Sequence, residues 1–249
     1  ILVSGAINVV DTGDDSWIEQ VDDNTIIVTD DNGASIVIQG NPADITIGTG
    51  ANGITITAST PVAIIVNSGA TVTNINATAP GTTITNNGTV TSVTADADVL
   101  IQNNSGDIAV TGTGTAGITG TASGNVTGTN VVVITDISGD LTVSASPIKI
   151  GGTTTANIDR IGHVPAGGEY INMTSSAPGV VSVDSLTSTG ITANARGRAI
   201  ITVKVFDGSD TLIKMGTIPI DVLPADITSA PVTMTAPAAG GTPQTGAQV

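Results

Sequence analysis

The chain of 249 residues contains no cysteine and only one residue each of Trp (Trp17), Tyr (Tyr170), Phe (Phe206) and His (His163). The absence of cysteine excludes disulfide scaffolds, thiol catalysis and Cys-ligated metal sites, and a single histidine excludes a multi-histidine metal centre. Basic residues are also few, because 6 Lys and Arg stand against 21 Asp and Glu, giving a formal net charge of −15. Binding of nucleic acid needs a basic footprint and usually aromatic stacking platforms, so the composition predicts no nucleic-acid partner.

Long apolar runs are missing as well. The longest are strand-sized, Ala63 to Val66 and Val131 to Ile134, whereas a helix needs about 20 apolar residues to cross a bilayer. We therefore predict no membrane-spanning segment. The first residue is Ile1 rather than Met, and we expect a mature or trimmed chain whose leader has been removed. A Cys-free, acidic composition rich in Thr, Asn and Gly is typical of prokaryotic cell-surface proteins, which predicts an extracellular location.

What the chain has in abundance is short runs of β-branched residues. From Thr25 to Val143 such runs recur about every 9 to 10 residues, a spacing typical of all-β folds. Val, Ile and Thr suit a pleated, half-buried surface. Turn signals such as Asn52-Gly53 and Asn87-Gly88 separate the runs, since Gly and Asn tolerate positive φ.

Two architectures fit these runs: an antiparallel sandwich or barrel, and a parallel, β-helix-like solenoid. We favour the solenoid because the repeat is regular, its apolar residues are small or β-branched, and no aromatic residue lies between Trp17 and Tyr170. Two or three runs per coil are both compatible with the pattern, giving roughly 19 to 28 residues per coil and about four to six coils. The segment resembles the Gly/Thr/Asn-rich solenoids of bacterial surface and S-layer-associated proteins.

The amino-acid composition of the sequence changes near Pro147. The stretch Ile171 to Asp184 (INMTSSAPGVVSVD) is similar to a strand pair of bacterial Ig-like domains of group 2, and Gly190 to Val205 (GITANARGRAIITVKV) resembles the following element of that family. Ile218 to Val222 resembles its closing strand, and Met173 lies close to the place where the family often has a Trp. The resemblance implies a small β-sandwich with an extracellular spacer or adhesion role and no catalysis.

Charge divides the chain at the same place. Residues 1–148 contain 14 acidic and no basic residues, whereas residues 149–249 contain 7 acidic and all 6 basic residues. Such asymmetry indicates separate domains. The predicted organisation is an N-terminal strand and acidic linker (1–24), a β-solenoid (25–146), an Ig-like β-sandwich (147–224) and an extended Pro/Thr-rich tail (225–249).

An acidic cluster near the N-terminus is the candidate metal site. Its eight carboxylates have no basic neighbour in sequence, and they belong to Asp11, Asp14, Asp15, Glu19, Asp22, Asp23, Asp30 and Asp31. A hard cation with oxygen ligands, Ca²⁺ above all, would relieve their repulsion. The spacing does not match an EF-hand loop, and the alternative is a solvated linker that keeps the protein soluble. Ca²⁺ is therefore the one candidate cofactor.

The sequence offers only weak candidates for a catalytic site. Paired carboxylates on a β-solenoid would suit sugar cleavage, and the pairs within the solenoid are Asp96 with Asp98 and Asp136 with Asp140. Sugar clefts normally supply aromatic and basic residues, which this segment lacks. His163 lies near Asp159 and Arg160, but no Gly-x-Ser-x-Gly elbow is present. We predict turn roles for the aspartates and no enzymatic activity.

The ends of the chain indicate assembly. Ile1 to Val10 is an apolar β-run, and an isolated Trp17 could cap the open end of a solenoid or anchor an interface. We predict a structural subunit that self-assembles into a surface filament, sheath or S-layer-like array, with its terminal segments adding as strands to the next copy. The alternative is a surface adhesin with a solenoid stalk and an Ig-like spacer, in contact with the cell wall or a glycan. The predicted assembly residues are Ile1, Leu2, Val3, Ile7, Val9, Trp17, Val232 and Met234.

Overall fold

A computed structural model of the chain describes residues 2–11, 17–22, 25–29, 35–143, 148–150, 156–160, 168–183 and 190–224. These residues are almost entirely β, and a β-solenoid of about five turns precedes a C-terminal unit of two smaller sheets. The predicted all-β fold with an N-terminal solenoid is therefore confirmed. Within the same residues no helix is long and apolar enough to cross a membrane.

The solenoid strands are described in chain order. They are β1 (Leu2–Asp11), β2 (Trp17–Asp22), β3 (Thr25–Thr29), β4 (Ser35–Ile47), β5 (Ile54–Ala58), β6 (Ala63–Val66), β7 (Thr71–Ala77), β8 (Thr82–Asn86), β9 (Thr89–Ala95), β10 (Val99–Asn103), β11 (Ile108–Thr111), β12 (Ala116–Thr119), β13 (Val126–Gly128) and β14 (Val131–Val133). A short 3-10 helix, η1 (Ser123–Asn125), precedes β13.

The solenoid has two faces, and each coil contributes one strand to each. Face A consists of β2, β5, β7, β9, β11 and β13, and face B consists of β1, β4, β6, β8, β10, β12 and β14. Neighbouring strands within a face are parallel. The successive face-B partners Ile64, Ile84, Ile101 and Ile118 lie 20, 17 and 17 residues apart. Of the two coil types that the sequence left open, the structure has the one with two strands.

Alternation of side chains explains why these short runs form strands. In β5 the residues alternate between fully and partly buried, so Ile54, Ile56 and Ala58 point inward while Thr55 and Thr57 point outward. Strand β8 has the same alternation, with Thr82, Ile84 and Asn86 inward. Parallel stacking then places like residues above one another in the narrow core. The turns must be small as well, because a Cβ added at Gly114 would lie 2.1 Å from the carbonyl oxygen of Ala97 in the preceding coil.

The N-terminal end of the solenoid is an antiparallel meander. Strand β3 pairs with β2 on one side and with residues 35–39 of β4 on the other, so it joins face A to face B. Strand β1 pairs in parallel with residues 39–47 of β4. Beyond the first complete coil, which consists of β4 and β5, face A is therefore extended by β2 and face B by β1.

The C-terminal unit contains two sheets. The five-stranded sheet comprises β15 (Thr135–Asp136), β17 (Ile148–Lys149), β19 (Tyr170–Ser175), β22 (Gly197–Phe206) and β23 (Leu212–Leu223). The four-stranded sheet comprises β16 (Leu141–Val143), β18 (Ala156–Arg160), β20 (Val181–Val183) and β21 (Gly190–Ala193). A short 3-10 helix, η2 (Ser138–Asp140), precedes β16.

One hydrophobic cluster lies between the two sheets. Met173 and Val203 of the five-stranded sheet share it with Leu141, Val181 and Ile191 of the four-stranded sheet. Residues 140–143, which read as a solenoid run in the sequence, instead supply β16, which pairs antiparallel with β18. The C-terminal unit thus begins before residue 147 in its strand pairing.

The C-terminal unit packs against one flank of the solenoid. Leu100 on the outside of face B joins Ile134, Leu212 and Met215 in a separate hydrophobic cluster. This contact explains why a large apolar residue can occupy an outward position of β10. The flank also contains the turns from face A to face B. We call this set of turns corner 2, corner 1 being the turns from face B to face A. Corner 2 is formed by residues 59–62, 78–81, 96–98, 112–115 and 129–130.

Candidate assembly surfaces

A single column of aliphatic residues runs through the interior of face B. Its members are in register from strand to strand, and they are Ile45, Ile64, Ile84, Ile101, Ile118 and Val133. The backbone of Val9 in β1 is in register with Ile45 at the N-terminal end. From Ile45 to Ile118 these residues are at most 1% exposed, whereas Val133 is 60% exposed. The column is therefore covered along its length and open at its C-terminal end.

The open end is formed by β13 and β14. Each strand pairs on one side only among the described strands, so the outward N–H and C=O groups of this edge have no strand partner there. Residues 126–135 contain no charged side chain. An uncharged edge with an exposed valine from the interior column is a template for strand addition, since it lacks the charges that normally protect an edge.

The opposite end of face B is formed by β1. This strand pairs with β4 of its own chain, and its other edge has no partner among the described strands. The predicted assembly residues Leu2, Val3, Ile7 and Val9 all belong to it. The apolar N-terminal run is thus a strand, as predicted, and one of its two edges is already used within the chain.

The remaining predicted assembly residues are divided. Trp17 begins β2, where it is in register with Thr29 of β3 and Thr55 of β5. Its backbone therefore lies in the meander at the N-terminal end of the solenoid. The other predicted assembly residues, which are Ile1, Val232 and Met234, lie outside the described residues.

The acidic cluster is only partly described. Asp11 ends β1, and Glu19 and Asp22 lie in β2, whereas Asp14, Asp15, Asp23, Asp30 and Asp31 fall outside the described residues. Asp11 is the last residue of β1, and Asp22 is the last residue of β2, five residues or about 17 Å from the start of that strand. No group of three metal-ligating side chains occurs among the described residues.

Of the four aspartates predicted at turns, Asp96 and Asp98 lie in corner 2, whereas Asp136 ends β15 and Asp140 ends η2. Asp98 in corner 2 accepts a hydrogen bond from the Thr115 backbone N–H at 3.0 Å and forms an ion pair with Lys204 of β22. Asp136 accepts a hydrogen bond from the Ser138 backbone N–H at 2.8 Å, which is the geometry of an Asx turn. Asp98 therefore links the solenoid to the C-terminal unit, and its carboxylate is not directed at an open cleft.

The second catalytic candidate cannot be assembled from the described residues. His163 lies outside them, and Asp159 and Arg160 are described only as backbone positions at the end of β18. Their backbone pairs antiparallel with Thr142 and Leu141 of β16. A Ser-His-Asp triad, which the sequence did not predict, thus has no supporting side-chain contact among the described residues.

A cleft of about 240 Å³ lies between corner 2 and the C-terminal unit. Its lining includes Thr60, Pro80, Ser176 and Arg198, and Arg198 approaches Asp221 at 3.9 Å. Ligand pockets usually have about 300 to 1,000 Å³ and several convergent polar groups. This cleft has a single charged group in its lining, and it offers no acid–base pair.

A buried asparagine ladder was missed in the sequence. Asn86 and Asn103 end β8 and β10, are fully buried, and join through a 2.8 Å hydrogen bond from Asn86 Nδ2 to Asn103 Oδ1. Asn86 Nδ2 also donates to the Ser105 carbonyl at 2.7 Å, and Asn103 Nδ2 donates to the Gly106 and Ala122 carbonyls, each at 3.0 Å. The signal was an Ile-x-Asn triplet at the ends of two face-B runs, repeated after 17 residues.

From β5 to β13 the outer surface of face A has no charged side chain, whereas β2 at its N-terminal end contains Glu19 and Asp22. The outward residues of β5, β7, β9, β11 and β13 include Thr55, Thr57, Asn74, Asn76, Ser92, Thr94, Ala109, Thr111 and Thr127. Some of these side chains are joined between coils, since Ser92 Oγ donates to Asn74 Oδ1 at 2.9 Å. Although the chain has a net charge of −15, a molecule that binds to the outer surface of β5 to β13 would contact uncharged side chains.

A scan against protein-family models finds no match for this chain, and searches of curated proteins and of solved structures find none either.

Proposed function

We propose that this chain is a non-enzymatic, extracellular structural protein that self-assembles into a prokaryotic surface filament, sheath or S-layer-like array. The observation that carries the proposal is the open end of the face-B column, where Val133 is 60% exposed although its in-register partner Ile118 is fully buried. Addition of a further strand would cover this column in the way that each coil covers the preceding one.

Physical estimates favour occupation of that edge. Full burial of a valine side chain contributes about 1.5 to 3 kcal/mol relative to exposure, and pairing of the β14 edge would satisfy its outward backbone groups. A contact between two different surfaces of successive copies does not close on itself, so it generates a chain of subunits rather than a dimer.

The C-terminal unit supports an extracellular role. The stretches that resemble Ig-like domains of group 2 supply β19 to β23, and their two sheets enclose a common cluster in which Met173 is 2% exposed. That arrangement suits the small sandwich that the resemblance implies. In the proposed assembly this unit is a spacer held on the flank of the solenoid.

Self-assembly is tested by sedimentation velocity and negative-stain electron microscopy of the full chain. We expect filaments or sheets from the wild type, and their loss in a variant lacking residues 1–10 and in Val133→Lys, which places a cation on the open column. Thr127→Lys is the matched control, because Thr127 is also exposed in the last coil but points outward from face A. A wild type that remains monomeric up to millimolar concentration would exclude the proposal.

The calcium hypothesis needs a separate comparison. Copies with a charge of −15 repel one another, so any salt promotes assembly by screening, over a Debye length of about 10 Å at 0.1 M. We expect CaCl₂ to lower the assembly concentration more than NaCl of equal ionic strength if the acidic cluster binds Ca²⁺. Equal effects of the two salts would assign the cluster to a solvated linker.

The part of face A from β5 to β13, whose outward side chains are uncharged, favours a second candidate function, an adhesin whose solenoid presents a binding surface. Neutral polysaccharides would meet hydroxyl and amide groups there without any charge to desolvate. Binding of the monomer to a glycan or cell-wall array, abolished by Thr57→Lys with Thr94→Lys, would support this candidate. Array binding that the double variant leaves intact would remove face A from consideration.

A further inference from the structure

We infer that successive copies join end to end within face B, with β1 of one copy beside β14 of the preceding copy, parallel and with Val9 in register with Val133. This inference rests on the proposed function and specifies the joint that the function requires. The partner is a second copy of this chain.

Strand direction supports the joint. Strand β1 is parallel to β4, and each following strand of face B is parallel to its neighbour as far as β14. A translation of one copy along the solenoid axis therefore brings β1 beside β14 in the same direction. Face A offers no such match, because the outer side of β2 is occupied by β3.

Register supports it as well. The aliphatic column begins at Ile45, whose backbone is in register with Val9, and ends at Val133, which is in register with Ile118. Placing Val9 of the next copy opposite Val133 therefore continues the same backbone register from one copy to the next. A slip by one residue would place Val10 there, and all side chains of the strand would change faces.

Charge is compatible with this contact. The N-terminal part of the chain contains 14 acidic residues up to residue 148, so two copies placed side by side bring like charges together. At the joint, the β14 end contributes the uncharged residues 126–135. At this register Asp11 of the next copy lies opposite Thr135, one residue before Asp136, so one pair of carboxylates approaches at the end of the joint and salt would screen it.

The geometry fixes the length of one repeat. Face B contains seven described strands per copy, and strands in a sheet lie about 4.8 Å apart, so one copy advances the filament by about 34 Å. We expect a layer line at about 34 Å in the transform of filament images. A repeat that differs from this by more than one strand spacing would contradict the joint.

The absence of cysteine permits a direct test of the register. In the variant Val9→Cys with Val133→Cys the two thiols of one copy are six strand spacings, about 29 Å, apart, which is too far for a disulfide. Mild oxidation of assembled protein should therefore produce a ladder of dimers, trimers and larger multiples on non-reducing gels, and reduction should abolish it. The matched control is Val10→Cys with Val133→Cys, because successive residues of a strand alternate between the two sides of a sheet.

The outcomes separate the joint from the proposed function. A ladder from the Val9 pair that is at least ten times stronger than from the Val10 pair supports the joint. Assemblies without a ladder, or equal ladders from both pairs, overturn it and would indicate that another segment, such as residues 225–249, covers β14. Protein that stays monomeric by sedimentation overturns the proposed function, and the joint is excluded with it.

Discussion

The buried pair Asn86 and Asn103 allows a quantitative prediction about the solenoid core. Replacement Asn103→Ala removes three hydrogen bonds: one from Asn86 Nδ2 and two to backbone carbonyls. At about 1 kcal/mol for each bond, we expect the free energy of unfolding to fall by about 3 kcal/mol. Asn86 Nδ2 keeps its bond to the Ser105 carbonyl, so the loss should not extend to the coil that contains β8.

The control for this experiment is Asn87→Ala. Asn87 is exposed and accepts one surface hydrogen bond, from Asn104 Nδ2 at 2.9 Å, so its replacement should cost about 0.5 kcal/mol or less. Guanidinium unfolding followed by circular dichroism and by the fluorescence of Trp17, the single Trp and part of the solenoid, measures both variants. Comparison requires equal m-values. A difference below about 0.5 kcal/mol between Asn103→Ala and Asn87→Ala would refute the assignment of the ladder as a core element.

Replacing both buried asparagines by apolar residues should not stabilise the core. Val66 and Ile47 occupy the same column one and two coils before Asn86, which suggests Asn86→Val with Asn103→Val as a repacked core. The amides, however, satisfy the carbonyls of Ser105, Gly106 and Ala122 at the turns. Because those carbonyls would lose their donors, we expect the double variant to be less stable than the wild type.

Three further predictions concern the turns, the flank and the C-terminal unit. Gly114→Ala should cost about 2 kcal/mol because its Cβ would strike backbone of the preceding coil, whereas Gly124→Ala, with open space around it, should be nearly neutral in the same unfolding assay. Lys204→Met leaves the partly buried Asp98 carboxylate without its cation and should cost about 2 kcal/mol, and an unchanged stability would mean that the flank contact is apolar alone. Backbone N–H groups of the following turn lower the pKa of Asp207. The carboxylate therefore stabilises the turn at pH values above its ordinary pKa of 3.8, and this stabilisation is lost as the pH falls through the lowered pKa. An NMR titration of Asp207 should find its midpoint below 3.8.

The solenoid could be predicted because its signal is local and repeated. Each coil carries the same alternation and the same kind of turn, so every run supports the interpretation of the others. The coil length could not be fixed, since two or three runs of this size satisfy the same alternation. Only the register of Ile64 with Ile84 and Ile101 shows that every second run returns to the same face.

The end of the solenoid could not be found from the pattern. Residues Leu141–Val143 have the same alternation as a solenoid strand, yet they pair antiparallel with Ala156–Arg160. The choice depends on a partner that follows in the chain, and short strands of equal propensity carry no information about their partner. The contact of Leu100 with Met215 was equally hidden, because an outward leucine in one coil reads as an ordinary exception to the pattern.

The position of the C-terminal unit bears on how copies could follow one another. Its contacts with the solenoid extend from the cleft beside Pro61 to the cluster at Ile134. Along face B this runs from β6 to β14, four strand spacings or about 19 Å, which is shorter than the repeat of about 34 Å that seven strands of face B impose. Among the described residues, the unit thus contacts corner 2 and part of the outside of face B, and none of these contacts involves β1. In an end-to-end filament the C-terminal units of successive copies would then form a spaced row along one flank, because each is held by its own solenoid.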